Sequence, residues 1–438
     1  MTEAGLTTEA IGCWQRAGQL AAERSANAEA VAHLHRGLEL LRTLPENTGR
    51  NTQELDLLIA LGSLLMVTRG WGHAEVATVY GRARDLCRSV GDTSHLAAML
   101  QGLRLHHMVR AELASAQEAA EELLALGEET RESGYLVEGE RAIGVVRFFA
   151  GDFQAARDHL ERGIALYDIQ AHGRHALRYV EDPGEVCLTY VARTLWMRGY
   201  PDQAVARSEQ AIAVAQATAH AASIAEAIFW RAEIALLCRE LQDARERTTT
   251  VLALVTEHGL PFWTGMATIM HGWALSEQGQ SAEGVVQIRA GLSVLVGTRE
   301  QLFLLYFVAM LADALGKTGQ AGEALSTLDE AIESSRRSAV RYWDAELQRR
   351  KGELLLAANG ADRAAAEACF RRAIDIAQAQ IAKSLELRAA TSLARLWRDQ
   401  GRLAEARDLL APIYGWFTEG FETADLKDSK ALLDELSE

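Results

Sequence analysis

The sequence predicts an all-α fold, an α-solenoid of about ten helical hairpins repeating roughly every 40 residues. Three observations predict it. The first is a recurring phrase, clearest in Trp196-Met197-Arg198-Gly199-Tyr200-Pro201-Asp202-Gln203-Ala204, which reads as a helix end, a tight turn and a new helix. Gly199 is free to take the left-handed conformation that ends a helix, and Pro201 suits the first turn of the next. A small residue stands five positions after the turn glycine, and in most copies another stands twelve after it, as Ala204 and Ala211 do. The second observation is the spacing: Gly279, Gly319, Gly360 and Gly401 lie 40, 41 and 41 residues apart, and Gly199 lies 80 before Gly279. The third is that no window sets β-branched and aromatic residues at period two between turn signals, so no sheet is expected. A fixed period in this range marks hairpins that bury their apolar faces only against their neighbours.

The first hairpin turns near Ser25-Ala26, and its second helix carries Ala28, Val31, Leu34, Leu38 and Leu41 on one face. Pro45 to Asn51 is a loop, Leu55 to Met66 opens the second hairpin, and Gly70-Trp71-Gly72 turns it. That turn is no phosphate loop, because no strand precedes it and no third glycine follows at the needed offset. The third hairpin turns at Ala111-Glu112-Leu113 and the fourth at Gly151-Asp152-Phe153. About eight residues are inserted between Tyr167 and Glu185, which accounts for the 48 residues from Gly151 to Gly199. The remaining turns fall at Gly199, at the glycine-less Arg239-Glu240, and at Gly279, Gly319, Gly360 and Gly401. Trp416, Phe417 and Phe421 suit the open face of the last hairpin, and an acidic helix from about Ala424 to Leu436 is expected to face water. Residues 411–438 are therefore read as a cap, which a solenoid's exposed end needs. Small residues after each turn are the tetratricopeptide pattern, here with a period longer than the usual ~34 residues. The expectation is one tetratricopeptide-like right-handed superhelix over 1–438, with 168–185 as an inserted loop.

Charge and motifs narrow the function. The net charge of −15 repels phosphate backbones, so nucleic acid is not expected as a partner. The five cysteines are scattered, with no Cys-x-x-Cys, and read as small buried hydrophobes in a reducing compartment. Leu302 to Ala312 is too short to span a bilayer and no charged-then-apolar leader opens the chain, so a soluble, cytoplasmic protein is expected. Gly316-Lys317-Thr318 looks like the end of a Walker A loop, but Leu311 stands where that loop needs its first glycine. His106 and His107 are adjacent and point about 100° apart on a helix, so they are not expected to share a metal. In the insertion, His172 and His175 are spaced to share a helix face, and with Arg178 they are candidates for a ligand or partner contact. A metal there would need Glu181 or Asp182, and an ordered structural loop is the plainer reading. No local nucleophile or metallohydrolase motif occurs, so neither catalysis nor a cofactor is expected.

What remains is the inner wall. In tetratricopeptide repeats the first helices line the concave face, and residues three, six and nine before the turn glycine point into it. At Gly199 this selects Trp196, Arg193 and Tyr190; at Gly279, Trp273 and Met270; at Gly319, Asp313; at Gly401, Arg398, Arg395 and Ser392. At the Arg239 turn it selects Trp230 and Glu233. Aromatic and arginine side chains are enriched at binding hot spots. An aromatic at helical spacing also serves packing between repeats, and both readings stay open here.

Several phrases together resemble the repeat region of large bacterial signalling proteins. They are Gln15-Arg16-Ala17-Gly18 with Ala21 to Ala30, Asp182-Pro183-Gly184, Cys187-Leu188, Gly199 to Ala204, Ala382 to Ala390, and above all Leu410 to Phe421. In that family a class III adenylate/guanylate cyclase or DNA-binding domain precedes a STAND-type, AAA-like ATPase module and then a repeat superhelix. The resemblance implies a sensor or regulatory part that binds a protein partner or a small-molecule inducer in its groove. The implied partner is a STAND ATPase or nucleotide cyclase, in trans or as the missing part of one chain. This sequence carries no Walker A, Walker B or cyclase core of its own.

Overall fold

Among the described residues, helical hairpins form where the turn signals fall. The structure, a computed structural model, describes residues 3–24, 26–173, 181–297, 300–358 and 362–437. Among the described residues there are 22 helices and no strand. Hairpins pair Glu3–Glu23 with Asn27–Leu41, Thr48–Arg69 with Ala74–Val90, Thr93–Val109 with Leu113–Thr130, and Ser133–Phe149 with Phe153–Leu166. After the short Ile169–His172 come Pro183–Met197 with Pro201–Thr218, Ala221–Leu237 with Leu241–Glu257, and Pro261–Glu277 with Ser281–Gly297. Then follow Leu304–Lys317 with Ala321–Arg337, Asp344–Ala357 with Arg363–Ala379, Lys383–Arg398 with Leu403–Tyr414, and the final Ala424–Glu435.

One turn geometry recurs. At Gly199 the chain takes φ +89°, and the Tyr200 N–H reaches back to the Leu195 carbonyl at 2.9 Å. This satisfies a carbonyl that a helix end would otherwise leave open. The glycine-less turns do the same with Ala111 (φ 59°) and Arg239 (φ 63°), closing Glu112 N–H on His107 and Glu240 N–H on Ala235, each at 2.8 Å. The small residues after the turns are where the paired helices meet: Ala116, Ala156, Ala204, Ala244, Ala324 and Ala406 are fully covered. In the seventh hairpin a Cβ on Gly284 or Gly291 would stand 2.5 Å from a backbone oxygen of the facing helix, so only glycine fits. The expected turns at Ser25 and Gly360 lie outside the described residues.

The chain divides into two compact units, Met1–Gly139 with Thr298–Glu300, and Glu140–Gly297 with Gln301–Glu438. The repeat alone marks no such division. The first unit has an aliphatic core that includes Leu34, Leu57, Leu61, Leu65, Leu100 and Leu123 around Tyr80. The second has an aromatic centre: Phe148 lies 5.4 Å from both Tyr190 and Tyr342, and Phe303 lies 5.4 Å from Phe149 and 5.3 Å from Trp230.

The second unit closes on itself. Three consecutive first helices end at Phe149, Met197 and Leu237, where their last carbonyls need donors. Phe149 receives the N–H groups of Arg341 and Tyr342 at 2.8 and 3.2 Å. Trp196 receives the Ser384 hydroxyl at 2.6 Å, and Leu237 receives the Arg388 guanidinium at 2.6 Å. The C-terminal segment joins this seam. The Gly420 N–H donates to Asp202 at 3.0 Å, and Glu419 accepts from the backbone and side chain of Gln203 at 3.0 and 2.7 Å.

The cap differs in detail from expectation. Phe417 is buried, but Trp416 and Phe421 stay 36% and 46% exposed. The last helix itself does the covering, with Leu426, Leu432 and Leu436 buried against Leu393, Trp397 and Leu410. No helix among the described residues is long and apolar enough to cross a membrane.

Candidate functional site

Most of the aromatic residues assigned to the groove are inside the second unit. Tyr190, Arg193, Trp196, Trp230 and Glu233 are all 5% exposed or less. Closure brings the later hairpins over them, so they form core and not an open surface. Arg193 is the centre of this region. Its Nε and Nη2 donate to the Glu233 carboxylate at 2.6 and 3.1 Å. Its guanidinium lies 3.8 Å from the Trp230 ring centre and 4.5 Å from that of Phe148. The charge is thus balanced by one carboxylate and by aromatic faces, as a desolvated arginine requires.

An open cleft remains further along the same inner wall, with a volume of about 230 Å³. Its walls come from the first helices of hairpins six to ten and from the last helix, through Arg239, Trp273, Glu277, Lys317, Arg349, Arg350, Glu353, Arg388, Ser392, Arg395, Asp425 and Asp428. Charges of both signs alternate around it. Lys317 meets Glu277 at 2.5 Å, Arg350 meets Asp313 at 2.9 Å, and Arg349 meets Glu346 at 2.6 Å and also Glu353. Arg388 meets Asp425 at 2.6 Å, and Asp428 is shared by Arg239 at 2.8 Å and Arg395 at 3.4 Å. Burial pushes the Asp313 carboxyl up to about 6, against the pull of Arg350. Glu346 is buried too, yet Arg349, Arg350 and Arg388 hold it well below the usual carboxylate range. The indole N–H of Trp273, on the cleft wall, is buried with no hydrogen-bond partner.

The structure therefore sorts the expected site residues. Trp273, Arg395 and Ser392 line the cleft, and Asp313 stands behind it on Arg350. Met270 is fully buried. Arg398 lies apart, paired with Glu435 at 2.7 Å. His172 is 4% exposed, and its Nδ1 accepts the Asp168 N–H at 3.0 Å. Asp182 caps the following helix by accepting from Glu185 N–H at 2.9 Å, and Tyr167 donates to it at 3.0 Å. These contacts order the ends of the insertion; His175 and Arg178 lie outside the described residues. Lys317 of the Walker-like tripeptide ends a helix and is paired with a carboxylate, so no phosphate loop forms there.

Sequence reasoning missed Arg239, Arg349, Arg350, Glu353, Arg388, Asp425 and Asp428. Counting six back from a turn finds Arg193, Glu233, Trp273, Asp313 and Arg395, all on the inner wall or in its pairs, but it reaches none of these seven, which no positional signal marks. The adjacent histidines need a correction as well. His106, His107 and Glu112 bring ligand-type atoms within 4.8 Å of one another, because the helix ends at Val109 and the left-handed Ala111 folds Glu112 back.

No protein-family model matches the chain. An uncharacterised protein of Rhizobium meliloti (strain 1021) is 26% identical over 396 residues, a match that covers 90% of this chain. The chain spans 38% of that relative's length. A crystal structure of a Rap protein complexed with Competence and Sporulation Factor aligns at TM-score 0.58 and 13% identity, covering 87% of this chain and 99% of that one. A STAND protein with a tetratricopeptide repeat sensor from Pyrococcus horikoshii aligns at 0.46 and 13% identity, over 92% of this chain and 56% of that one. At 13% identity the likeness to the Rap protein speaks to fold alone, and with the helical hairpins described above the fold is a tetratricopeptide-like α-solenoid.

Proposed function

We propose that this chain is a non-catalytic receptor that takes a short peptide segment, bearing charges of both signs, into the cleft of its second unit. The observation that carries this reading is the cleft wall itself. Most of its cations and carboxylates are paired with one another across separate repeats, Arg239 with Asp428, Lys317 with Glu277, Arg350 with Asp313 and Arg388 with Asp425, while Arg349 pairs with Glu346 on its own helix. A ligand with both signs of charge exchanges these pairs one for one, whereas a ligand of a single sign leaves buried charges unmatched. A volume of about 230 Å³ admits about one or two residues of such a segment and not a folded domain. The Rap protein, whose fold is similar, was crystallised with Competence and Sporulation Factor, which is in keeping with a ligand-taking role for the fold.

The test is native mass spectrometry of the full chain recovered from its host, beside Arg395→Glu and Asp428→Lys. Both residues are partly exposed, so the variants should fold. An added mass below about a few kilodaltons, lost in both variants, supports the reading. An added mass that both variants keep overturns it.

A second reading rests on the resemblance of the repeat region to that of bacterial signalling proteins: the chain acts as a regulatory part for a STAND ATPase or an adenylate/guanylate cyclase. The relative, of which the chain spans 38%, is compatible with that reading and names no activity. Nucleotide turnover by such a partner, measured with and without this chain, would have to change for that reading to stand.

A further inference from the structure

We propose that His106, His107 and Glu112 in the first unit form a binding site for a divalent transition-metal ion of the zinc type. The three side chains bring their ligand atoms within 4.8 Å of one another. Zinc sits about 2.0–2.2 Å from imidazole nitrogen and carboxylate oxygen, so a bound ion draws these atoms to roughly 3.3 Å apart. The inward movement required is about 1.5 Å.

The site is built from two successive turns. His106 is 2% exposed, and its Nδ1 lies 2.7 Å from the carbonyl oxygen of Trp71 in the preceding turn. A carbonyl only accepts, so the proton is on Nδ1 and Nε2 carries the free lone pair. A backbone carbonyl that holds the far nitrogen of an imidazole is the usual support for a metal-ligating histidine. His106 is thereby fixed, and Nε2 is the nitrogen left free to ligate.

The movement falls on the other two residues, whose side chains are 22% and 39% exposed. Past the helix end, Ala111 takes φ 59° and the Glu112 N–H bonds back to the His107 carbonyl at 2.8 Å. That return folds the Glu112 carboxylate onto His107 Nδ1 at 2.8 Å, and the two imidazoles meet edge to face at 5.2 Å. Arg110 now supplies the positive charge facing Glu112, at 2.7 Å, and it also reaches the Gly72 carbonyl at 3.4 Å. An ion takes over the first of these roles while the second holds the arginine nearby. Two nitrogens and one oxygen, with a fourth position open to water, suit Zn²⁺, Co²⁺ or Ni²⁺ and not Mg²⁺ or Ca²⁺. The competing account is a hydrogen-bonded helix end that never meets a metal.

Co²⁺ titration of the metal-stripped full chain separates the two, read by visible d–d absorption in a Cys13→Ser background that removes the exposed thiol. The site requires one equivalent bound, displaced by Zn²⁺. Glu112→Gln and His107→Ala, both near the surface and checked for folding by circular dichroism, should each weaken Co²⁺ at least tenfold. No absorption band at one equivalent, or equal binding by both folded variants, would overturn the proposal.

Discussion

Arg193 and Glu233 stand 40 residues apart, at the same register in consecutive hairpins, and both are at most 2% exposed. Removing one partner leaves a buried charge unmatched, which costs about 3–5 kcal/mol, whereas replacing both with apolar residues is often close to neutral. Glu233→Ala should thus sharply lower the denaturation midpoint, and Arg193→Met with Glu233→Leu should recover most of the loss. A double variant no better than the single would mean that the pair is not the source of the cost. Ile381 is a different kind of residue: a β-branched side chain held at φ 55° and 44% exposed, where several other turns use glycine. Ile381→Gly should raise stability by about 1 kcal/mol in chemical denaturation, because the left-handed conformation strains every residue with a Cβ. The pair was partly legible, and the turn at Ile381 was not. Counting back from the turn picks out Arg193 and Glu233, but spacing says nothing about what covers them.

At the level of elements, the helices Pro183–Met197 and Ala221–Leu237 press two carboxylic acids together. Glu185 is fully buried and Glu226 is 6% exposed. Burial, with nearby Glu181 adding to it and Arg141 opposing, pushes the Glu226 carboxyl up to about 8. Glu185 is raised too, first by burial and then by Glu226. The ordinary glutamate value is about 4.3, so between there and about 8 the folded chain holds a proton that the unfolded chain releases. Stability from this source is complete below the lower value, falls as pH rises through the window, and levels off above the upper one. Thermal melts of wild type and Glu226→Gln should therefore diverge from pH 5 to pH 8, with the variant gaining on the order of 1–3 kcal/mol relative to wild type. Parallel pH profiles would dismiss the buried proton. The helices themselves were easy to read, since turn glycines and the small residues after them mark local geometry. The acid pair was not, because a glutamate on a helix looks the same in sequence whether it meets water or another glutamate.

For the second unit as a whole, closure decides which part of the inner wall is core and which is cleft. The seam joins residues 151 to 218 positions apart, through an ordinary serine, arginine, aspartate and glutamine. No periodicity reports such partners, and so the sequence located the inner wall but not its closure. Arg388 ties the most together: it donates to the Leu237 carbonyl, pairs with Asp425 of the last helix, and lies 4.8 Å from the Trp196 ring centre. Arg239 and Asp428 also bridge the seam, but they are 49% and 39% exposed, and such pairs contribute little. Arg388→Ala should therefore loosen the seam where Arg239→Ala does not. The loss combines an orphaned carbonyl with a broken half-buried pair, about 2–4 kcal/mol together. Amide exchange in Lys383–Arg398 and Ala424–Glu435 should quicken together in Arg388→Ala and stay near wild type in Arg239→Ala. If the cleft takes a ligand, the seam also sets its access, because the same last helix supplies Asp425 to the seam and Asp428 to the cleft. Ligand would then slow exchange at both sides of the seam in wild type and do so less in Arg388→Ala. Equal protection in both proteins would place the ligand elsewhere on the chain.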